Sequence, residues 1–417
     1  MRYLLRYCFL LCTVCFVACN AAAPSAAKPP APPKKVDVPV QPAVAEQVIE
    51  APPALLSQDE IAAGWISLFD GQSLFGWQAH SKADWQVQDG AIAVTAGDPG
   101  LLCTTVPFAD YELHVEFRAD SQTNSGVFLR TPAVVEKTDV TTRCYELNIA
   151  SADNPFPTGS FVGRQKVAAE CQDDGWREFD ATLEGDHAVV KYNGKVVLDY
   201  SDPTPVGRGL IGLQLNSGKV EFRNIRLKPL GLKSIFNGND LSGWKENGDS
   251  KFGIEDQLLH VKGGKGHLES TDSFGDFVVQ LECKTNATSL NSGLFFRCIP
   301  GEPMNGYESQ IHNGFKNDDR SQPADCGTGG IFRRVNARRV VADDLTWFSK
   351  TIVAAGPHVA VWVNGYQVTN WTDARAPDKN PRNGVRTDPG TLQIQGHDPT
   401  TDISFRNLRA VELPGGE

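Results

Sequence analysis

The sequence has almost no helical periodicity: in 417 residues only Ser57-Gln-Asp-Glu60, a capping box, announces a short helical turn. That absence leaves an all-β reading. Long hydrophobic runs are missing beyond residue 18, so no later segment reaches transmembrane length. No concentrated cluster of Lys and Arg follows the N-terminal region and the formal net charge is −10, which argues against nucleic acid as a partner. The chain also lacks a Gly-x-Ser-x-Gly elbow, a His-Glu-x-x-His pair and a phosphate-binding glycine loop. No Cys-x-x-Cys pair exists, so zinc is not expected.

What is present begins with an export signal. Met1-Arg-Tyr-Leu-Leu-Arg-Tyr and the apolar run Cys8 to Ala18 predict a signal peptide over 1–18. Phe16-Val-Ala-Cys19 resembles a bacterial lipobox, which implies lipidation of Cys19 and attachment to a membrane through acyl chains alone. Asn20 carries no inner-membrane retention signal, so a cell-envelope lipoprotein is expected, at the outer membrane or facing the periplasm. Residues 19–56 then read as the lipidated cysteine and a Pro/Ala-rich tether, too poor in aromatic and apolar content to fold. Six cysteines follow Cys19, three in each half. Spacings of 27 for Cys144 to Cys171 and 28 for Cys298 to Cys326 predict one local disulfide per half in an oxidising compartment. Cys283, on the apolar side of a strand, reads as a buried free thiol.

The most informative feature is an internal repeat. Leu68-Phe-Asp-Gly-Gln-Ser-Leu-Phe-Gly-Trp77 returns as Ile235-Phe-Asn-Gly-Asn-Asp-Leu-Ser-Gly-Trp244, and Asn124-Ser-Gly-Val-Phe-Leu-Arg130 returns as Asn291-Ser-Gly-Leu-Phe-Phe-Arg297, both 167 residues on. Phe222-Arg-Asn-Ile-Arg recurs as Phe405-Arg-Asn-Leu-Arg at an offset of 183, so the second copy carries insertions. The repeat predicts two domains, 57–230 and 231–417. Within each, Asp-Gly and Asn-Gly turns between short alternating runs, such as Tyr111 to Arg118, indicate antiparallel hairpins. Many short strands over this length favour two tandem jelly-roll β-sandwiches.

Taken as an ordered set, Gly64-Trp-Ile-Ser-Leu-Phe-Asp-Gly, Asn-Ser-Gly-x-Phe-x-Arg, Tyr-Glu-x-Gln-Ile, Thr-Gly-Gly-Ile-Phe and Phe-Arg-Asn-Ile/Leu resemble the 3-keto-disaccharide hydrolase family, also described as a 3-keto-glucoside 1,2-lyase and 2-hydroxyglucal hydratase domain. The resemblance covers about Gly64 to Pro229 and Leu232 to Leu413. It implies a concanavalin-like jelly roll and work on oxidised glucosides outside the cytoplasm, with carbohydrate as the partner. A ketone at C3 acidifies the C2 hydrogen, so the implied reaction needs a base, a proton donor and a group that holds the developing enolate.

The second copy carries residues of these types. Glu308, Gln310 and His312 lie at period-two positions and share a face while strand geometry persists. Arg297 ends the Asn-Ser-Gly strand, and Gln395-Gly-His-Asp398 precedes the last strand. His312, Glu308 and His397 are the expected catalytic groups; Arg297, Gln310, Gln395, Asp398 and Trp371 the expected substrate contacts. The first copy keeps Arg130 and Glu146 but has Asn148, Ala150 and Asn216 at the places of Gln310, His312 and His397, so the second domain is expected to be active and the first degenerate or accessory. A divalent metal is not required by the sequence, and Asp318, Asp319 and Asp325 form no regular calcium loop. Two alternatives stay open: a carbohydrate-binding lipoprotein without turnover, and a glycoside hydrolase using paired carboxylates.

Overall fold

The computed structural model describes residues 54–136, 139–168 and 175–415. The signal peptide, Cys19, most of the tether and Cys171 lie outside the described residues. Asp89 and Gly90, Asn193 and Gly194, and Asn364 and Gly365 all take positive φ, 51° and 74° in the first pair. Both central residues of a type I′ turn need that region, which Gly enters freely and Asn or Asp tolerate. Each pair accordingly closes a two-residue hairpin, the first between Gln86–Gln88 and Ala91–Val94. Ser57 caps the one α-helix among the described residues, Gln58–Ala63, through the reciprocal Ser57 and Glu60 bonds that its capping box requires.

The repeat in sequence is a repeat in topology. In the first half a large antiparallel sheet runs, in spatial order, Lys195–Ser201, His187–Tyr192, Arg177–Glu184, Tyr111–Ala119, Val220–Pro229, Ala91–Val94 and Gln86–Gln88. A five-stranded sheet, Trp77–Ala79, Gly100–Thr104, Leu210–Leu215, Ser125–Thr131 and Tyr145–Ile149, faces it. The second half repeats both orders. Its large sheet is Lys251–Glu255, Leu258–Lys262, Asp402–Glu412, Phe277–Thr285, Phe348–Ala355, His358–Val363 and Tyr366–Thr372, and its small sheet is Trp244–Gly248, Gly266–Phe274, Gly390–Gly396, Ser292–Cys298 and Tyr307–Ile311. The protein is therefore all-β, with two jelly-roll sandwiches in tandem.

The inward faces make the cores. Leu268, Leu294, Ile311, Leu392 and Ile394 of the second small sheet pack against Val279, Leu281, Ile352 and Phe405 of its large sheet. The outer face of that large sheet is covered too: Val278, Val353, Ala360 and Trp362 belong to the core of the first half. The Trp362 indole donates to the Ser67 carbonyl at 2.9 Å, the Ser67 amide donates to the Gly365 carbonyl at 2.8 Å, and Arg338 pairs with Asp70 at 2.8 Å. With the second large sheet thus covered on both faces, the small sheet of that half presents the face left for a ligand.

Cys283 is a buried free thiol, as its strand position suggests. The expected Cys298–Cys326 disulfide is absent: both are free thiols, and Cys326 Sγ donates instead to the Val335 carbonyl at 3.2 Å. Even spacing in a repeat says nothing about whether two Cβ vectors converge. Cys144 is likewise a free thiol.

Candidate functional site

Strand register assembles the site on the outer face of the second small sheet. Because alternate residues point to one side, a lateral row crosses four strands as Glu269, Gln393, Phe295 and Glu308, each directly opposite the next. A second row places His267 opposite Gln395 and Gly293 opposite Gln310. Gly293 explains the Asn-Ser-Gly motif. A Cβ there would lie 2.7 Å from Glu308 Oε1 and 2.8 Å from its Cγ, so only glycine leaves the space in which the Glu308 side chain lies.

The two carboxylates of the first row are driven apart. Glu308 is 8% exposed, and burial pushes its carboxyl up to about 7, against the pull of Arg382 and Lys350. Burial would raise Glu269 as well, but hydrogen bonds from Thr391 Oγ1 at 2.7 Å, the Gly301 amide at 3.0 Å and Gln393 Nε2 at 3.2 Å outweigh it and hold that carboxyl below its ordinary value. One acid therefore sits near neutrality and the other stays charged, the separation that divides acid from base roles. His267, 3% exposed, is lowered by its burial, only partly offset by Glu269, and so stays neutral. Its Nε2 has no hydrogen-bond partner among the described residues, nor do Gln310 Oε1 and Gln395 Oε1. Buried polar atoms without partners are uncommon, and three of them converge on the row around Gly293.

Behind the face stands a group that periodicity hides. Lys350, wholly buried, occupies an inward position of the large sheet and sends Nζ across the sandwich to the Ser309 and Gln310 carbonyls, at 2.7 and 2.9 Å. Desolvation lowers its ammonium to about 7. In front, the loop at Glu302–Met304 is tied to the face by the Met304 amide on Gln393 Oε1 at 2.7 Å and by Gln395 Nε2 on Met304 Sδ at 3.3 Å. Arg382, from the insertion after Trp371, holds the Met304 carbonyl at 2.5 Å. Between these pieces a cavity of about 180 Å³ is bounded by Phe295, Glu308, Phe332, Arg333, Arg334 and Arg382. Arg333, Arg334, Arg338 and Arg339 are a local concentration of cations in the sequence, contrary to the expectation that no basic cluster follows the tether; the first two line the same cavity as Glu308.

Of the residues expected from the sequence, Glu308, Gln310 and Gln395 are brought together. Arg297 is not. Its guanidinium, 1% exposed, donates to the carbonyls of Gly275, Gly356 and Arg386 and pairs with Asp276 at 2.9 Å, so it neither faces substrate nor bonds to Glu308. Arg130 repeats the pattern with Ala109, Gly185, Val206 and Asp110. The cause is a register shift between Phe295 and Cys298, with Arg297 at φ 49°, which turns the side chain off the face that strict alternation would give it. Trp371 is not brought to the face either: half-buried, it packs edge-on against Tyr307 at 6.1 Å and against the second core. His312 and His397 lie just past their strands. His312 Nδ1 accepts from the Gly314 amide at 3.2 Å, and His397 pairs with Asp398 at 2.8 Å; hydrogen bonds from Thr400, and then from His397, hold the Asp398 carboxyl down at about 2. The loop after His312 folds into its own hairpin, Phe315–Lys316 with Asp319–Pro323. Among the described residues no cluster of three or more His, Cys, Asp or Glu is arranged to hold a metal.

An all-β sandwich with an acid–base-bearing sheet face, repeated once, defines the class of protein. The chain belongs to the 3-keto-alpha-glucoside-1,2-lyase-like domain family, whose sequence profile matches residues 64–228 and again 231–410. A curated relative, a 3-keto-disaccharide hydrolase of Bacteroides thetaiotaomicron, is 31% identical over 88 residues; the match spans 18% of this chain and 30% of that protein's length. A solved candidate glycosyl hydrolase from Parabacteroides distasonis ATCC 8503 is 20% identical, aligned over 44% of this chain and 94% of its own at a TM-score of 0.37. A carbohydrate binding module from Bacillus subtilis aligns at 13% identity over 37% of this chain and 95% of its own, with a TM-score of 0.30.

Proposed function

We propose that the protein cleaves 3-keto-glucosides or closely related modified glycosides, and that the chemistry takes place at Glu308 in the second half. The observation that carries this reading is the carboxyl of Glu308, held at about 7 on a face that also bears a locked, charged Glu269 and a neutral His267. A carboxyl so tuned can take a proton from carbon and give it to oxygen near neutral pH. Glu308 removes the C2 hydrogen as a proton, the electron pair forms the C1–C2 double bond, and the C1–O bond breaks. The proton held on Glu308 passes to the departing oxygen, and water then adds across the double bond to give the 3-keto sugar. Arg333 and Arg382 stabilise the negative charge that develops on the C3 oxygen. His267 Nε2 and the amide oxygens of Gln310 and Gln395 accept hydrogen bonds from sugar hydroxyls.

Turnover of a 3-keto-glucoside deuterated at C2 tests the mechanism. Elimination demands loss of the label to solvent, whereas retention of deuterium in the released sugar would sink it. Hydrolysis by paired carboxylates predicts instead activity on unoxidised glucosides, which the same substrate would not report. Binding without turnover remains the outcome that would return the protein to a lectin-like role. We further place the enzyme on the cell envelope through a lipid on Cys19; a Cys19→Ser chain that still takes up labelled acyl groups would refute that placement.

A further inference from the structure

The first half repeats the same face with a different chemistry. Register sets Cys103, Gly212, Phe128 and Glu146 in one row, and Leu101 opposite Gln214 and Gly126 opposite Asn148 in the other. Glu146, Gln214 and Phe128 keep the places of Glu308, Gln395 and Phe295. Leu101, Cys103 and Gly212 replace His267, Glu269 and Gln393, so the histidine and the charged carboxylate at the far end of the face are gone and a glutamine side chain has been removed from its middle. A cavity of about 610 Å³ lies on this face, bounded by Leu101, Phe128, Glu146 and Gln214. Leu101, Phe128, Val135, Val140 and Val162 wall it, and Val134, 63% exposed, stands at its mouth. Two buried polar groups meet on the lining: Glu146, whose carboxyl burial pushes up to about 7 against a hydrogen bond from Gln214, and Gln214, whose Oε1 has no hydrogen-bond partner among the described residues; the exposed Glu136 and Asn216 and the half-buried His80 also border it.

We propose that this cavity is a second binding site, specific for an uncharged aromatic ring that carries a hydroxyl or glycosyl oxygen, the chemistry shared by an aryl glucoside and its free phenol. The volume falls in the range of roughly 300–1,000 Å³ usual for small-molecule sites, and an apolar wall with a few convergent polar groups is their common composition. The ring lies on the Phe128 and valine wall, and its oxygen meets Glu146 and Gln214. A free sugar, hydroxylated all round, would strand its hydroxyls against that wall. The site stands independently of the chemistry proposed at Glu308.

Calorimetric titration of the full chain tests it with 4-methylumbelliferyl β-D-glucoside, 4-methylumbelliferone and glucose. The aryl glucoside should bind once per chain, and glucose at least tenfold more weakly. Equal binding of the free phenol assigns the aglycone as the recognised part, and its failure to bind assigns the intact glucoside. Val134→Asp, at an exposed position that leaves folding intact, and Leu101→His, which restores the residue of the second half, should each weaken the aryl probe at least tenfold. Glu308→Gln should leave it unchanged. Binding untouched by both first-half substitutions, or glucose binding as well as the aryl glucoside, overturns the proposal. Aryl binding in a chain that turns over no keto-glucoside would refute the Glu308 mechanism and leave this site standing.

Discussion

The two small sheets share a fold, a strand order and an arginine lock, yet their outer faces differ at four of eight matched positions. His267, Glu269, Gln393 and Gln310 face Leu101, Cys103, Gly212 and Asn148 in the other copy. The retained groups, the Asn-Ser-Gly glycine and the glutamate lying across it, are those the fold needs to hold a buried carboxyl near neutrality; Glu146 and Glu308 are both at about 7. The comparison teaches that a raised carboxyl is the common inheritance of the two halves, and that the charged and polar groups around it distinguish an acid–base site from an apolar pocket.

The largest effect that can break this comparison lies outside both faces. Arg297→Ala and Arg130→Ala should each destabilise the protein by about 3–5 kcal/mol, because each strands a carboxylate and buried carbonyls. Thermal unfolding reads it; a normal melting temperature with only a raised KM for Arg297→Ala would restore Arg297 to the substrate. Next, Glu308→Gln should lower kcat by roughly 10²–10⁴-fold, while Glu146→Gln leaves turnover intact. Equal losses in the two would show that both halves catalyse.

Linkage gives a third test. Both glutamates rise from 4.5 to about 7 on folding, so the folded chain binds their protons more tightly than the unfolded one. The stability they contribute is fully present below pH 4.5 and is lost as pH rises through 7. Either Glu→Gln substitution should therefore flatten the fall in melting temperature over that window, by the equivalent of about 1–3 kcal/mol. An unchanged pH profile in both variants would mean that neither carboxyl is raised.

Gly293→Ala should cost turnover by about tenfold or more, since its Cβ collides with Glu308. Gly126→Ala should be milder for its own glutamate, whose Cγ would stand 3.4 Å away. Kinetics and melting curves on the pair separate displacement of a carboxyl from loss of fold. The smallest effect is expected at His312→Ala, within about threefold in kcat/KM, because its imidazole accepts from the Gly314 amide two residues on; a hundredfold loss would make it catalytic after all.

Much of this was legible in the chain. The repeat, the Asp-Gly and Asn-Gly hairpins and the period-two face of Glu308 and Gln310 follow from local rules that tertiary packing rarely overrides. Three things were not. Gly266–Phe274, Gly-His-Leu-Glu-Ser-Thr-Asp-Ser-Phe, is too polar to announce a strand, although His267 and Glu269 alternating about Leu268 were a usable signal. Lys350 occupies a position whose neighbours Phe348 and Ile352 point to the core, and a lysine there reads as a solvated residue unless its buried carbonyl acceptors are known. Arg297 misled because alternation fails across a bulge.

The sequence by itself determined the all-β class, the duplication and the strand faces, because strand alternation and glycine turns are set by bonds between near neighbours. Only the tertiary structure decided what those faces do. Burial of Glu308, the bonds that lock Glu269, the reach of Lys350 and the cavity beside Glu146 arise from groups tens to more than a hundred residues apart, and desolvation and hydrogen bonding act on distances in space rather than along the chain.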